Sequence, residues 1–176
     1  MTVFAVAGPS GAGKDTLLAG ALAARPDIRM LRRTITRPSD SGGEDFDGVT
    51  EAEFAARESA GAFALTWQAH GLSYGVSHAP VGGVTIFNCS RRMLEQAAGV
   101  FPGLRVIIVT ASATVLAERL AARGREDAAD ITRRLAREAA LPAGLPVTTI
   151  TNDGSVADGV AAFLAALDQE AACPKG

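Results

Sequence analysis

The chain has 176 residues, 48% of them hydrophobic and 20% charged, and its formal net charge at pH 7 is −2. This length and apolar content predict a single domain with a core of its own. The near-neutral charge excludes a general nucleic-acid binder, whose surface would be strongly basic. No apolar run reaches the 18 residues that a membrane span needs, so no membrane partner is expected.

The cysteines and the N-terminal residues indicate the cellular compartment in which the protein is expected. Cys89 and Cys173 are too few, and too oddly placed, for a disulfide framework. The N-terminal apolar stretch also lacks the basic segment that opens a signal peptide. We therefore expect a cytoplasmic location.

The first elements in the chain are a strand and a helix, within residues 2–24, joined by a glycine-rich loop. Residues 3–7 are continuously apolar and predict a short buried strand, and Leu17, Leu18, Ala21 and Leu22 form an apolar stripe on the helix that follows. The loop between them, Gly8-Pro9-Ser10-Gly11-Ala12-Gly13-Lys14, fits the pattern G-x-x-x-x-G-K.

This loop predicts a nucleoside triphosphate site. Its glycines let backbone N–H groups wrap a polyphosphate, the helix N-terminus adds partial positive charge, and Lys14 would reach the outer phosphates. The chain has 15 arginines, yet its only other lysine is Lys175. A slim ammonium suits such a loop better than a guanidinium fork, which favours the site over a plain glycine-rich turn. The predicted nucleotide-binding residues are Gly8, Pro9, Ser10, Gly11, Ala12, Gly13, Lys14, Asp15 and Thr16.

Asp15 departs from the pattern, because Ser or Thr usually follows the lysine and holds Mg²⁺. A carboxylate here would repel a triphosphate unless a cation lay between them. Mg²⁺ prefers carboxylates and keeps several waters, so Asp15 is predicted to face Mg²⁺ directly or through a water. The alternative is that Asp15 only favours the start of the helix by its charge. A later strand ends in Asn88, with no acid where a strand-end metal ligand often lies.

The remaining elements alternate along the chain. Thr50 and Glu53 form a capping box that predicts a short helix ending near Gly61. Strands are predicted at 84–88, 104–110 and 147–151, helices at 114–123 and from Ser155 onward, and the last helix is expected to bury Val156, Val160, Phe163, Leu164 and Leu167. This alternation predicts an α/β fold with a parallel sheet, covered by helices on both faces, that binds ligands at the carboxyl ends of its strands.

Several motifs in order resemble the guanylate kinase-like P-loop kinases over nearly the whole chain. They are the loop at residues 8–14, Thr34-Ile35-Thr36-Arg37-Pro38, Phe54 with its helix, Gly71-Leu72-Ser73-Tyr74-Gly75, Arg123-Gly124, and Asn152-Asp153. The resemblance implies a P-loop NTPase fold in one domain, 1–172, with a tail at 173–176. Its core would be about 1–33 and 80–172, with an acceptor-binding region at about 34–79 and a mobile lid at about 123–137.

Departures from the guanylate kinases argue against GMP as the acceptor. Asp40 stands where that family has a second phosphate-binding arginine, and Phe46 replaces a tyrosine. No acid lies near Leu65 or Thr66, where a carboxylate reads the guanine edge. A site built to hydrogen-bond guanine loses most of its discrimination without these groups.

One branch, the ribose 1,5-bisphosphate phosphokinases, resembles the chain better. The similarity covers Asp15, Arg33, Trp67, Asn88 with Ser90-Arg91, Arg123-Gly124-Arg125-Glu126 and Asn152-Asp153-Gly154. It implies Mg²⁺-dependent transfer from ATP to ribose 1,5-bisphosphate, giving ADP and 5-phosphoribosyl 1-diphosphate. A sugar with two phosphates and no base calls for arginine forks rather than a base-reading carboxylate.

The resemblance also implies roles for single residues. Lys14, Arg123, Arg125 and Arg134 would be catalytic; Arg33, Arg37, Tyr74, Ser90 and Arg91 would bind the acceptor; and Asn152 would lie beside the adenine. Local alternatives stay open: Arg134 pairing with Glu138 on a helix surface, Trp67 as a packing anchor, and residues 152–154 as a loop-to-helix turn. Two other functions also remain, a nucleoside monophosphate kinase and a non-catalytic binding module. The oligomeric state is not predicted.

Overall fold

The computed structural model describes residues 2–38, 45–122 and 141–171. In these ranges the chain forms β1 (Thr2–Ala7), α1 (Lys14–Ala24), β2 (Arg29–Leu31), β3 (Arg33–Ile35), β4 (Phe46–Gly48), α2 (Glu51–Ser59), β5 (Phe63–Ala69), β6 (Leu72–Ser77), β7 (Val84–Asn88), a 3₁₀ turn (Arg91–Met93), α3 (Leu94–Val100), β8 (Arg105–Thr110), α4 (Ala113–Ala122), β9 (Val147–Thr151) and α5 (Val156–Ala171). None of the helices described is long and apolar enough to cross a membrane.

The main sheet is parallel, with strand order β2-β7-β1-β8-β9. Val6 is in register with Asn88, and Thr110 is in register with Thr151. The carboxyl ends of β1, β7, β8 and β9 therefore meet at one edge of the sheet. The glycine-rich loop leaves β1 at this edge, where the alternation of strands and helices predicts a ligand site.

Helices cover both faces of this sheet, as predicted. Phe4 and Val6 of β1 pack in a cluster with residues of α1, α4 and α5, including Leu17, Leu116 and Phe163. Val3, Ala5 and Ala7 point the other way, into a cluster that contains Leu94 and Phe101 of α3 and its C-terminal end. The alternation of side chains along β1 thus divides the core into two layers.

A second sheet, of order β4-β3-β6-β5, occupies the central part of the chain. β5 and β6 form an antiparallel hairpin whose two-residue loop, His70-Gly71, has positive φ angles of 53° and 73°. α2 contributes Phe54, whose ring stacks on Phe63 with centroids 4.9 Å apart. This sheet and α2 lie within the predicted acceptor-binding region, although its strands were not predicted from the sequence.

Most predicted elements of the main sheet are confirmed within one or two residues. The capping box is present, because Glu53 N donates to Thr50 Oγ1 (3.2 Å) and Thr50 N donates to Glu53 Oε2 (2.8 Å). One prediction for the last helix is wrong: Val156 is 57% exposed. It is the first residue of α5, and the inward face of the helix starts at Gly159, which packs against Leu17.

Two helical glycines provide a matched test of this packing. A Cβ on Gly20 of α1 would lie 2.4 Å from Val160 Cγ2 of α5, whereas a Cβ on Gly99 of α3 would meet nothing within 4 Å. Gly99→Ala should raise the free energy of unfolding by up to about 1 kcal/mol, because alanine favours helix. Gly20→Ala should lower it by about 1–3 kcal/mol through overpacking against a stiff valine.

Urea unfolding followed by circular dichroism measures both changes. Stabilisation by Gly20→Ala would contradict the close contact of α1 with α5.

Candidate active site

The glycine-rich loop is shaped by close backbone contacts. Gly8 has a φ of 149°, and a Cβ there would lie 1.9 Å from the Val109 carbonyl oxygen of β8. Gly13 has a φ of 89°, and its Cβ would lie 2.5 Å from Asn152 Nδ2. Only glycine fits at these two positions, so the loop turns tightly against the ends of β8 and β9.

Lys14 folds back over the loop that precedes it. Its Nζ donates to the carbonyl oxygens of Gly8 (2.8 Å) and Pro9 (3.0 Å). α1 begins at Lys14, and its N-cap residue Gly13 has no side chain to cap the first N–H groups. A positive charge and the N-terminus of a helix therefore meet at one place, an arrangement that favours anions.

Two side chains brace the loop at its backbone carbonyls. Asn152, which is only 6% exposed, donates from Nδ2 to the Ala12 carbonyl oxygen (2.8 Å). Arg119 of α4 donates from Nη1 to the carbonyls of Gly11 and Ala12, both at 3.4 Å, and from Nη2 to the Asn152 carbonyl (2.9 Å). A Cβ on Gly159 would lie 2.6 Å from Asn152 Oδ1, so the amide is enclosed by α5.

This geometry changes the role expected of Asn152. Its amide nitrogen is bonded to the loop and its side chain is buried. The structure therefore supports the alternative of a loop-to-helix turn: Asp153 Oδ1 accepts from Ser112 N (2.7 Å), and Asp158 N donates to Ser155 Oγ (3.2 Å) at the start of α5. A direct contact of Asn152 with adenine stays a prediction.

Arg119 is a site residue that the sequence analysis missed. Its pattern was visible, because it precedes Arg123 by four residues in the sequence, which is the spacing of one turn in the helix predicted at 114–123. An arginine beside an apolar stripe is nonetheless typical of any exposed helix face. Only the tertiary structure shows that this one lies against the glycine-rich loop.

Asp15 lies on the exposed first turn of α1, opposite the end of β7. Asn88 Nδ2 donates to Asp15 Oδ1 at 3.4 Å. Both side chains line a cleft of about 290 Å³ whose floor is the apolar side of α1 and Met30. Thr16, the next residue, is also exposed. Asp15 is thus accessible to a hydrated cation, and its charge at the helix start is favourable in itself.

The predicted acceptor residues belong to both sheets and the segments that follow their strands. Arg33 lies on β3, Arg37 follows that strand, and Arg91 opens the 3₁₀ turn after β7. All three are half-buried, and their Nε atoms are shielded from water. Ser90, just before Arg91, is exposed at the head of that turn.

Aromatic rings support two of these arginines. The Arg33 guanidinium lies 5.5 Å from the Tyr74 ring centroid, and Tyr74 stacks on Trp67 with centroids 5.1 Å apart and planes 7° apart. The Arg37 guanidinium lies 4.3 Å from the ring of Phe46, which is buried. Trp67 is therefore both a packing anchor and part of the acceptor region, while Tyr74 holds Arg33 by a cation–π contact.

Burial changes the pKa values of two side chains in this region, Arg33 and Cys89. Burial lowers the pKa of Arg33, and the neighbouring Tyr74 and Asp15 oppose that shift. Arginine stays protonated at neutral pH because its ordinary pKa is above 12. Burial raises the pKa of Cys89 to about 12, although Arg33 acts in the opposite direction. Cys89 is thus a neutral thiol, buried just after the end of β7.

Several residues named in the sequence analysis lie outside the described residues. They include the proposed lid arginines Arg123, Arg125 and Arg134, as well as Asp40, Cys173 and Lys175.

Similarity to known proteins identifies the family of this chain. No model of a known protein family matches the chain. Over 178 residues it is 48% identical to the ribose 1,5-bisphosphate phosphokinase PhnN of Ruegeria sp. (strain TM1040), covering 97% of this chain and 93% of that protein. The protein of the same name from Agrobacterium fabrum is 44% identical over 178 residues, covering 96% and 97%. The chain belongs to the ribose 1,5-bisphosphate phosphokinase family.

Solved structures agree on the fold. Guanylate kinase from Anaplasma phagocytophilum superposes with a TM-score of 0.66 at 17% identity, covering 98% of this chain and 87% of that one. The predicted P-loop kinase fold and the predicted family are both confirmed. As a member of the ribose 1,5-bisphosphate phosphokinase family, the chain is a kinase.

Phe46 should act on the acceptor side through Arg37. Phe46→Leu keeps an apolar side chain but removes the ring face, which is worth about 0.5–2 kcal/mol to a cation. We expect KM for the phosphorylated acceptor to rise roughly two- to thirtyfold, with KM for the nucleotide unchanged. Phe46→Tyr, the matched control, keeps the ring and should stay close to the wild type.

Steady-state kinetics with each substrate varied in turn measures both effects. Equal losses in the two variants would contradict a role for the ring face.

Proposed function

We propose that this chain transfers the γ-phosphoryl group of ATP to the anomeric phosphate of ribose 1,5-bisphosphate, giving ADP and 5-phosphoribosyl 1-diphosphate. The observation that carries the proposal is that Arg33 interacts electrostatically with Arg37, with Asp15 at the start of α1 and with Cys89 just after β7. The name shared by relatives that are 44–48% identical supports it.

The donor side binds and orients the triphosphate. The backbone N–H groups of residues 8–14 would cradle the phosphates, with their carbonyl side braced by Asn152 and Arg119. Lys14 would exchange its contacts with Gly8 and Pro9 for phosphate oxygens. Its charge is needed most as negative charge shifts during transfer, because the protein's share of such a reaction is mainly positioning and neutralisation.

Asp15 would hold the magnesium ion that accompanies ATP, directly or through a water. An exposed carboxylate on the first turn after the loop fits Mg²⁺, which keeps several waters and takes its other oxygens from phosphates. When bound, the ion supplies neutralisation of the β- and γ-phosphates.

The acceptor side binds a second polyanion. Arg33 and Arg37 have their guanidinium groups set against aromatic rings, and Arg91 lies near the end of β7. An oxygen of the anomeric phosphate would attack the γ-phosphorus as the bond from that phosphorus to the bridging oxygen of ADP breaks. The attacking oxygen is already ionised at neutral pH, so no strong general base is required.

Two alternatives are weaker. A guanylate-type kinase needs a carboxylate for the base edge, but Leu65 is an apolar residue buried in the second sheet, in register with Val76. A non-catalytic binding module would not need Lys14 and the glycine geometry of a phosphate loop. The division into core, acceptor region and lid, the roles of Arg123, Arg125 and Arg134, and the cytoplasmic location complete the proposal as predictions.

Lys14 is the first test. Lys14→Ala should lower kcat by roughly two to four powers of ten, because it removes a charge felt most in the transition state. Lys14→Arg keeps the charge but carries a wider head, and it should also lose most of the activity. Coupled ADP release measures the rate, and thermal unfolding confirms that both variants fold. Near-normal turnover of Lys14→Ala would contradict catalysis at this loop.

The acceptor is the second test. The same assay compares ribose 1,5-bisphosphate, ribose 5-phosphate and GMP, and ³¹P NMR identifies a diphosphate on C1 of the sugar. We expect GMP to fall several powers of ten below ribose 1,5-bisphosphate in kcat/KM, since each missing hydrogen bond costs about 1 kcal/mol or more.

Arg37→Ala should abolish most of the reaction with the sugar bisphosphate. Arg29→Ala is the matched control, because Arg29 is exposed at the amino end of β2, away from the loop. Turnover of GMP at ordinary kinase rates, with an inert sugar bisphosphate, would return the chain to the nucleotide kinases.

A further inference from the structure

Asn88 and Asp15 form a polar pair between the end of β7 and the start of α1. Asn88 Nδ2 donates to Asp15 Oδ1 at 3.4 Å. The two side chains differ in solvent exposure: Asn88 is only 6% exposed, whereas Asp15 is exposed. The backbone around Asn88 is fixed by its register with Val6 and by the bond from Cys89 N to the Val6 carbonyl (2.8 Å).

The choice of an amide at this place has an electrostatic consequence. A carboxylate at position 88 would repel Asp15, and a lysine or arginine would neutralise it. An amide N–H orients a carboxylate without neutralising it, so Asp15 keeps its formal charge for a cation besides its interaction with Arg33. The one carboxylate of the pair thus lies on the helix, while the strand end holds the neutral donor.

We propose that Asn88 is a positioning residue that orients Asp15 toward the magnesium ion of the bound nucleotide, and that the pair functions with its carboxylate on either partner. This rests on the proposed function, which places Mg²⁺ at Asp15. Asp and Asn have nearly the same shape, so exchanging them keeps one amide facing one carboxylate across the same gap. Both side chains line the cleft beside the loop, where a hydrated ion has access.

Calorimetric titration with ADP, in Mg²⁺ and in EDTA, measures how much the ion strengthens binding without requiring turnover. We expect Asp15→Asn to lose most of this enhancement. Asn88→Ala should lower it by about tenfold, which is typical of residues that orient a metal ligand. ADP affinity in EDTA should stay unchanged in both variants.

The double variant Asp15→Asn with Asn88→Asp is the decisive one. It should regain the strengthening of ADP binding by Mg²⁺ to within a few-fold of the wild type. Asn88→Asp alone places two carboxylates together and should not reach the wild-type strengthening. In kinetics, Asn88→Ala should need about tenfold more Mg²⁺ for half-maximal rate and recover kcat at saturating Mg²⁺. A purely structural role would not produce this split.

Each outcome decides the proposal. Unchanged enhancement in Asn88→Ala would overturn the positioning role, and a double variant no better than Asp15→Asn would overturn the exchange. If circular dichroism shows the double variant unfolded, Asn88→Ala decides alone: a tenfold loss supports the positioning role. Absence of any Mg²⁺ enhancement in the wild type would overturn the proposed function itself, which separates the two failures.

Discussion

The hydrogen bond from Asn152 Nδ2 to the Ala12 carbonyl is the contact on which the donor site depends. It joins the end of β9 to the phosphate loop, and α5 can approach it closely because Gly159 has no side chain. Arg119 adds a second set of donors to the same loop carbonyls. A phosphate loop binds through its N–H groups, so anchoring its carbonyls elsewhere fixes the orientation of the donors.

The proposed acceptor side is built differently. Its arginines come from the second sheet and from the turn after β7, and aromatic rings lie against two of them. Asp15 and Asn88 lie where the two halves meet, at the carboxyl edge of the main sheet. In the proposed function, one edge of a parallel sheet thus serves both the loop for the donor phosphates and the arginines for a second phosphorylated molecule.

Local patterns made the main sheet predictable. Apolar runs predicted β7 and β8, a last strand was predicted at 147–151, the capping box predicted α2, and the loop motif predicted the start of α1. β3 and β4 have three residues each, too few to show a period. Asn152 and Arg119 reach loop residues that are more than 100 positions away in the chain, so no local pattern could indicate those bonds. The prediction that Val156 is buried was wrong because helical spacing alone could not show that the first turn of α5 is exposed to water.

The stack of Trp67, Tyr74 and Arg33 has a consequence for the entropy of binding. A free arginine side chain has about 2 kcal/mol of rotamer entropy to lose when it grips a phosphate. Arg33 is already confined between a flat aromatic pair and a buried strand, so that loss occurs when the chain folds rather than when the substrate arrives. More of each arginine–phosphate contact then remains as affinity. The folded protein bears this cost through the stacked rings of Trp67 and Tyr74.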